Sequence, residues 1–173
     1  MAYVQMGWLP RMLVEKGVGE NTASVALAII GVFNIAGGVI MPWLISRIYR
    51  LAAVPVVLAL CTGAGWAGVL LAADSAPLLW ACLMGIGGMC FPLALALLTA
   101  RTRSALTTAR LSGFVQPGGY ILAGCVPLLV GVIRGATGSW TVVLVGLLVL
   151  SLCMLVAGLR ATTRVYIDDE LVG

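Results

Sequence analysis

The side chains in this sequence that could bind a polar ligand lie inside apolar segments, where few polar groups are tolerated. The stretch between Arg110 and Arg134 is apolar enough to cross a bilayer, yet it carries Gln116 and Tyr120. At ~100° per residue, a helix places these two side chains on one stripe about 80° wide. The same stripe holds Gly113, Gly124, Pro127 and Gly131. A helix surrounded only by lipid has no reason to gather these residues. The stripe therefore predicts the wall of a cavity or a close helix contact, as in part of a transporter.

Two further amides lie in apolar segments. Asn34 shares a helical stripe with Ser24, Gly31, Gly38 and Pro42, and Gln5 stands near the beginning of the chain. Polar groups at this depth usually face the interior of a helix bundle and often mark a substrate path. The alternative role is an interhelical hydrogen bond, typically worth ~0.6 kcal/mol. We predict that Gln116, Tyr120, Asn34 and Gln5 bind substrate, with the packing role left open for each.

A third stripe consists almost entirely of small residues and has a simpler interpretation. Its members are Ala81, Gly85, Gly88, Pro92, Ala96 and Thr99. Small residues let membrane helices approach closely. We therefore expect this stripe to be a helix-packing surface.

Composition excludes several classes of protein. Of the 173 residues, 62% are hydrophobic and only 9% are charged, whereas a soluble domain has about 25% charged residues. The net charge of +4 comes from arginines placed between apolar segments, which argues against nucleic acid as a partner. There is no histidine, and the five cysteines show no Cys-x-x-Cys spacing. We predict no catalytic residue, no metal site and no cofactor, and hence a protein that is not an enzyme.

The apolar segments predict an all-α, polytopic membrane protein. A span of about 20 residues crosses the hydrocarbon core. Five such spans are Thr22–Ser46, Leu51–Ala73, Ala76–Ala100, Leu111–Ile133 and Ser139–Leu159. A sixth, Met1–Val14, reaches only about 21 Å at 1.5 Å per residue. The prediction is a six-helix bundle over residues 1–159 that starts inside a truncated helix, followed by a tail at 160–173.

The basic residues between the spans predict the orientation. On alternate sides of the membrane, one face has seven basic residues: Arg47, Arg50, Arg101, Arg103, Arg110, Arg160 and Arg164. The other face has three: Arg11, Lys16 and Arg134. By the positive-inside rule the first face is cytoplasmic. The C-terminus is then expected in the cytoplasm of a bacterial-type inner membrane.

Several short motifs resemble one family of carriers. They are LSGFVQPGGY at 111–120, VPLLVG at 126–131, GATGSW at 135–140, WLP at 8–10 and FPLAL at 91–95. These motifs resemble the C-terminal half of the cyanate-permease-like (cyanate/nitroimidazole) carriers of the major facilitator superfamily. The resemblance implies helices seven to twelve of a twelve-helix transporter that works by alternating access. It implies as partners the lipid bilayer, a small solute and an N-terminal half.

Two functions of different classes follow. The first is a secondary carrier of a small polar or anionic solute, in which this chain is a fragment that needs an N-terminal half. The alternative is a small, non-transporting membrane subunit that packs against a larger complex through its glycine stripes. The role of Gln116 distinguishes them, because only the carrier uses it to line a cavity.

Overall fold

The structure is a computed structural model that describes residues 1–48 and 51–162 as a bundle of helices. Seven helical segments occur in these ranges: α1 (Ala2–Glu15), α2 (Glu20–Arg47), α3 (Ala53–Ala72), α4 (Pro77–Gly88), α5 (Cys90–Ala100), α6 (Ala105–Thr137) and α7 (Trp140–Ala161). The predicted tail from residue 163 onward lies outside the described residues, as do Tyr49 and Arg50.

The five predicted full spans are confirmed by helices of sufficient length and apolar character. They are Glu20–Arg47, Ala53–Ala72, Pro77–Ala100, Ala105–Thr137 and Trp140–Ala161. The first helix, α1, has 14 residues, which agrees with the short span predicted at 1–14. The all-helical, polytopic membrane architecture is therefore confirmed.

The span 76–100 was expected to be one helix, but it is divided at Met89 into α4 and α5. The amide of Met89 donates to the carbonyl of Ile86, three residues back, at 3.1 Å. Two features explain the interruption. Pro92 has no N–H to donate to the carbonyl of Gly88, and Gly87 and Gly88 are poor helix formers.

Helix α6 is longer than the predicted span Leu111–Ile133 because polar caps extend it at both ends. The Ser104 hydroxyl accepts a hydrogen bond from the Thr107 amide at 3.0 Å, which caps the beginning of the helix. Gly138 ends it with a left-handed backbone (φ 66°), and its N–H donates to the Arg134 carbonyl at 2.9 Å. The result is a helix of 33 residues.

Because successive spans run in opposite directions, the loops gather at two ends of the bundle. We call the end with the α1–α2, α3–α4 and α6–α7 connections the Glu15 end, and the opposite end the Arg101 end. At the Arg101 end, the guanidinium of Arg101 donates to the carbonyl of Thr162 at 2.8 Å. This bond joins the end of α5 to the end of α7.

The buried side chains form two separate clusters. The larger cluster lies toward the Glu15 end and includes Leu9, Trp66, Met84 and Leu144. The smaller cluster lies toward the Arg101 end, and its buried members are Met41, Val54, Leu58, Met89, Leu93 and Leu97. Helix α6 contributes one buried side chain, Val130, to the larger cluster and none to the smaller.

Candidate substrate path and the contacts of helix 6

The stripe predicted on α6 divides into two parts with different surroundings. We call residues 105–124 of α6 the open half and residues 125–137 the clamped half. In the open half, a β-carbon added at Gly113, Gly118, Gly119 or Gly124 would meet nothing within 4 Å. Phe114 is 84% exposed. These glycines therefore leave free space in the described bundle and do not serve a helix contact.

Gln116 and Tyr120 both lie in the open half. Gln116 is partly exposed, and Tyr120 is 46% exposed. The ring of Tyr120 lies 6.3 Å from that of Phe91, between centroids, at a tilt of 56°. Phe91 belongs to the first turn of α5, directly after the interruption at Met89. The stripe thus presents an amide and a phenol to open space, with one aromatic neighbour.

Asn34 lies against the interrupted span. Its amide nitrogen donates to the carbonyl of Ile30, four residues back, at 2.9 Å. The side-chain oxygen lies 3.2 Å from the position that a β-carbon would take at Gly88. This local hydrogen bond satisfies the amide nitrogen of Asn34. The side-chain oxygen lies beside the end of α4.

Gln5 is buried in α1 with only 1% of its surface exposed, and its side-chain oxygen has no hydrogen-bond partner. A buried polar atom without a hydrogen-bond partner lowers the stability of the fold, so a donor bound at this oxygen would be stabilising. Among the described residues, no hydrogen bond joins any two of the four predicted binding side chains. The four residues are distributed over three helices, α1, α2 and α6.

The clamped half of α6 packs against Trp8 of α1. The indole N–H of Trp8 donates to the carbonyl of Pro127 at 3.0 Å. A β-carbon at Gly131 would lie 3.1 Å from the Trp8 ring, so Gly131 provides the space that the indole occupies. The ring of Trp8 also meets that of Trp140 edge-on, with centroids 5.8 Å apart. Pro127 and Gly131, which the sequence placed on the same stripe as Gln116, therefore serve a helix contact.

A charged cluster at the Glu15 end was not predicted. One carboxylate oxygen of Glu15 accepts from Arg11 at 2.7 Å. The other oxygen accepts from Arg134 at 2.8 Å and from the Trp140 indole at 2.7 Å. The hydrogen bond from Arg134, followed by those from Arg11 and Trp140, lowers the pKa of Glu15 to about 2. The sequence signal was available, because Glu15 and Arg134 have opposite charges at the same predicted end.

The all-small stripe of the interrupted span is a packing surface, as expected. A β-carbon at Gly85 would lie 2.7 Å from the Phe33 ring of α2. At Gly88 the neighbour is Asn34, also of α2. These glycines let α4 and α2 approach closely, which confirms the packing role for the part of the stripe on α4.

The fold defines a class: a polytopic helical membrane protein that carries polar side chains within its apolar helices. Comparison with known proteins gives the family. No family model matches the chain, and no solved structure matches it. Its sequence shows that it belongs to the cyanate-permease-like family of the major facilitator superfamily.

Three relatives illustrate the similarity. The chain is 34% identical over 160 residues to the 2-nitroimidazole transporter of Escherichia coli, which covers 92% of this chain and 40% of that protein. It is 29% identical over 136 residues to the cyanate transport protein of the same organism, and this alignment covers 78% of the chain and 35% of that protein. It is 40% identical over 114 residues to a Thauera aromatica protein named as an anionic 4-hydroxy-benzoate permease, and this alignment covers 58% of the chain and 70% of that protein. The chain thus spans about two fifths of the length of the first of these relatives.

Proposed function

We propose that this chain is one half of a secondary carrier that moves a small polar or anionic solute by alternating access. The observation that carries the proposal is the division of α6. Its clamped half is packed against α1, whereas the glycines beside Gln116 and Tyr120 in its open half have no neighbour within 4 Å of a β-carbon position. Carriers of this superfamily consist of two helical halves and bind their substrate between them. The open half of α6 is suited to face such a site.

A second six-helix half is part of the proposal. The described bundle leaves many large apolar side chains exposed, among them Val32, Ile35, Phe114 and Leu122. Lipid can cover such side chains, but it cannot hydrate the amide of Gln116. The partial coverage of the longer relatives supports a second half as the missing partner.

The solute class is supported by charge and by the relatives. Among the described residues, Arg47, Arg101 and Arg110 lie at the Arg101 end, and the acidic residues Glu15, Glu20 and Asp74 lie at the opposite end. A basic entrance attracts anions. The named solutes of the relatives, cyanate, 2-nitroimidazole and 4-hydroxy-benzoate, are all small. We place the Arg101 end in the cytoplasm of a bacterial-type inner membrane, and a C-terminal reporter fusion active only in the periplasm would contradict this.

A transport assay on the complete carrier tests the proposal. The variant is Gln116→Leu, which replaces the polar amide with an apolar side chain of similar size. Phe114→Leu, at a position that is 84% exposed, is the matched control. We expect uptake to fall at least ~10-fold for Gln116→Leu, because the polar group that it removes faces the solute path. We expect Phe114→Leu to transport like the parent.

The same assay separates the two functions. Membrane insertion and thermal unfolding are measured for both variants, so that a loss of uptake is not mistaken for a loss of protein. Unchanged uptake with lowered stability in Gln116→Leu would mean that Gln116 has a packing role and does not line the cavity. Absence of uptake in the parent protein would favour the alternative, a non-transporting membrane subunit.

A further inference from the structure

A set of polar contacts that joins three helices lies at the Glu15 end, away from the four predicted binding residues. Glu15 ends α1, Arg134 lies in the last turns of α6, and Trp140 begins α7. Glu15 belongs to α1, and its carboxylate accepts hydrogen bonds from Arg134 of α6 at 2.8 Å and from Trp140 of α7 at 2.7 Å. The carboxylate therefore connects the three helices. We call Glu15, Arg134, Trp140 and Trp8 the latch.

The geometry of the latch exceeds that of an ordinary surface ion pair. An exposed pair of opposite charges contributes little by itself. Here one carboxylate accepts three hydrogen bonds, and charged partners make such bonds short and strong. The Arg134 guanidinium also lies 5.1 Å from the centre of the Trp140 ring, which is within the range of a cation–π contact. Each partner therefore holds the others in position.

The latch is reinforced on the apolar side. The Trp8 ring lies between Gly131 of α6 and Trp140 of α7, and its N–H bonds to the Pro127 carbonyl. Beside it, the Lys16 ammonium donates to the carbonyl of Leu70, near the end of α3, at 3.2 Å. The end of α1 is thereby attached to three other helices.

We propose that Glu15 is a positioning residue that fixes the Glu15 ends of α1, α6 and α7 as one body and so sets the separation between Gln5 on α1 and Gln116 on α6. The proposal rests on the proposed function for the roles of Gln5 and Gln116, but the latch is measured without transport. Gln5 lies ten positions before Glu15, or about 15 Å along the helix. A change of tilt at the Glu15 end therefore moves Gln5 by several ångströms, and the buried site around Gln5 opens.

The test is a distance measurement between spin labels on the full chain in lipid nanodiscs. One label is attached at Met6→Cys, next to Gln5, and the other at the native Cys125 of α6, since both positions are exposed. The other four cysteines are replaced by alanine. We compare Glu15→Gln, which removes the charge and keeps the shape, with Glu20→Gln. Glu20 is an exposed carboxylate at the same end that makes no ion pair among the described residues.

We expect a narrow distance distribution in the parent and in Glu20→Gln, and a broader distribution with a longer component in Glu15→Gln. Identical distributions in all three proteins would overturn the proposal. If circular dichroism shows that Glu15→Gln does not fold, Arg134→Lys replaces it. That variant keeps the charge but loses the planar fork of the guanidinium, and a parent-like distribution in it would equally overturn the latch.

A second measurement tests positioning directly. In a chain without other cysteines, Gln5→Cys is expected to react slowly with a water-soluble maleimide because the position is buried. Glu15→Gln should raise this rate about 10-fold, since it removes hydrogen bonds to a charged group. Leu58→Ala, which weakens the other buried cluster, should not raise it. An equal increase in both variants would mean that Glu15 affects only general stability and would refute the positioning role. If the parent protein does not transport, the proposed function fails, and if Gln116→Leu leaves transport intact, the binding role of Gln116 fails. In either case the distances between the spin labels still test the latch.

Discussion

The two halves of α6 both contain proline and glycines, but their surroundings differ. The clamped half has Pro127 and Gly131 in contact with Trp8, and Val130 in the larger buried cluster. The open half has glycines with no neighbour within 4 Å, and Gln116 and Tyr120 lie among them. A glycine in a membrane helix can therefore mark a close contact or an empty space. The difference shows that its function follows from its neighbour and not from its type.

The largest expected effect concerns the tryptophan that holds the clamped half. Trp8→Ala removes the edge-on contact with Trp140 and the hydrogen bond to Pro127, and it leaves a cavity at Gly131. We expect a loss of about 3 kcal/mol in the free energy of unfolding, the lower limit for truncation of a large core aromatic, because Trp8 is only partly buried. The measurement is reversible unfolding of the chain in mixed micelles.

The control for this prediction is Trp43→Ala. Trp43 is 57% exposed, and its described ring contact is with the Arg47 guanidinium at 5.8 Å. This variant should lose less than about 1 kcal/mol, as expected for a substitution on the surface. Equal losses at Trp8 and Trp43 would show that α6 is not clamped in the way described.

A smaller effect separates packed from open glycines. A methyl group at Gly87 of α4 would overlap the Thr62 hydroxyl and lie 2.9 Å from the carbonyl oxygen of Leu58. Gly87→Ala is therefore expected to destabilise the bundle by about 2 kcal/mol through overpacking. At Gly124 of α6 there is space, so Gly124→Ala should be neutral or stabilise by up to ~1 kcal/mol, because alanine favours the helix. The unfolding assay used for Trp8 checks both, and a reversed order would contradict the contrast.

The smallest effect is expected from pH. The hydrogen bonds from Arg134, Arg11 and Trp140 lower the pKa of Glu15 from 4.5 to about 2 in the folded chain. A lowered pKa contributes stability that is fully present above the unfolded value and is lost as the pH falls toward the folded value. The stability difference between the parent and Glu15→Gln should thus stay constant from pH 8 to about pH 5 and shrink below 4.5. A difference that changes between pH 8 and 6 would mean that another group titrates in the latch.

The sequence was sufficient to predict the positions of the membrane spans. Hydropathy and length located five of them to within a few residues at most ends, because about 20 apolar residues have few uses other than crossing a bilayer. The extension of α6 to Ala105 and Thr137 depended on caps at Ser104 and Gly138, which hydropathy does not record. The interruption at Met89 was also missed, although Gly87, Gly88 and Pro92 are suggestive.

The candidate site was less predictable. Helical pitch gives the direction in which a side chain points, but it does not identify the helix that stands there. Gln116 and Gly131 share a direction on α6, and yet one faces open space and the other faces Trp8. The latch was missed for a related reason. Glu15 and Arg134 have opposite charges at the same predicted end, but 119 positions separate them in the chain. Only the packing of α1 on α6 identifies them as partners.

The most direct test of the central claim is the reactivity of single cysteines along α6 in the complete carrier, in native membranes. Gln116→Cys represents the open half, and Val130→Cys, which replaces a side chain only 4% exposed, represents the clamped half. We expect a water-soluble thiol reagent to label position 116 at least ~10-fold faster than position 130, because only the open half lines an aqueous path. We also expect the transported solute to slow labelling at position 116. Equal, slow labelling at both positions, unaffected by solute, would show that the open half does not line a solute path.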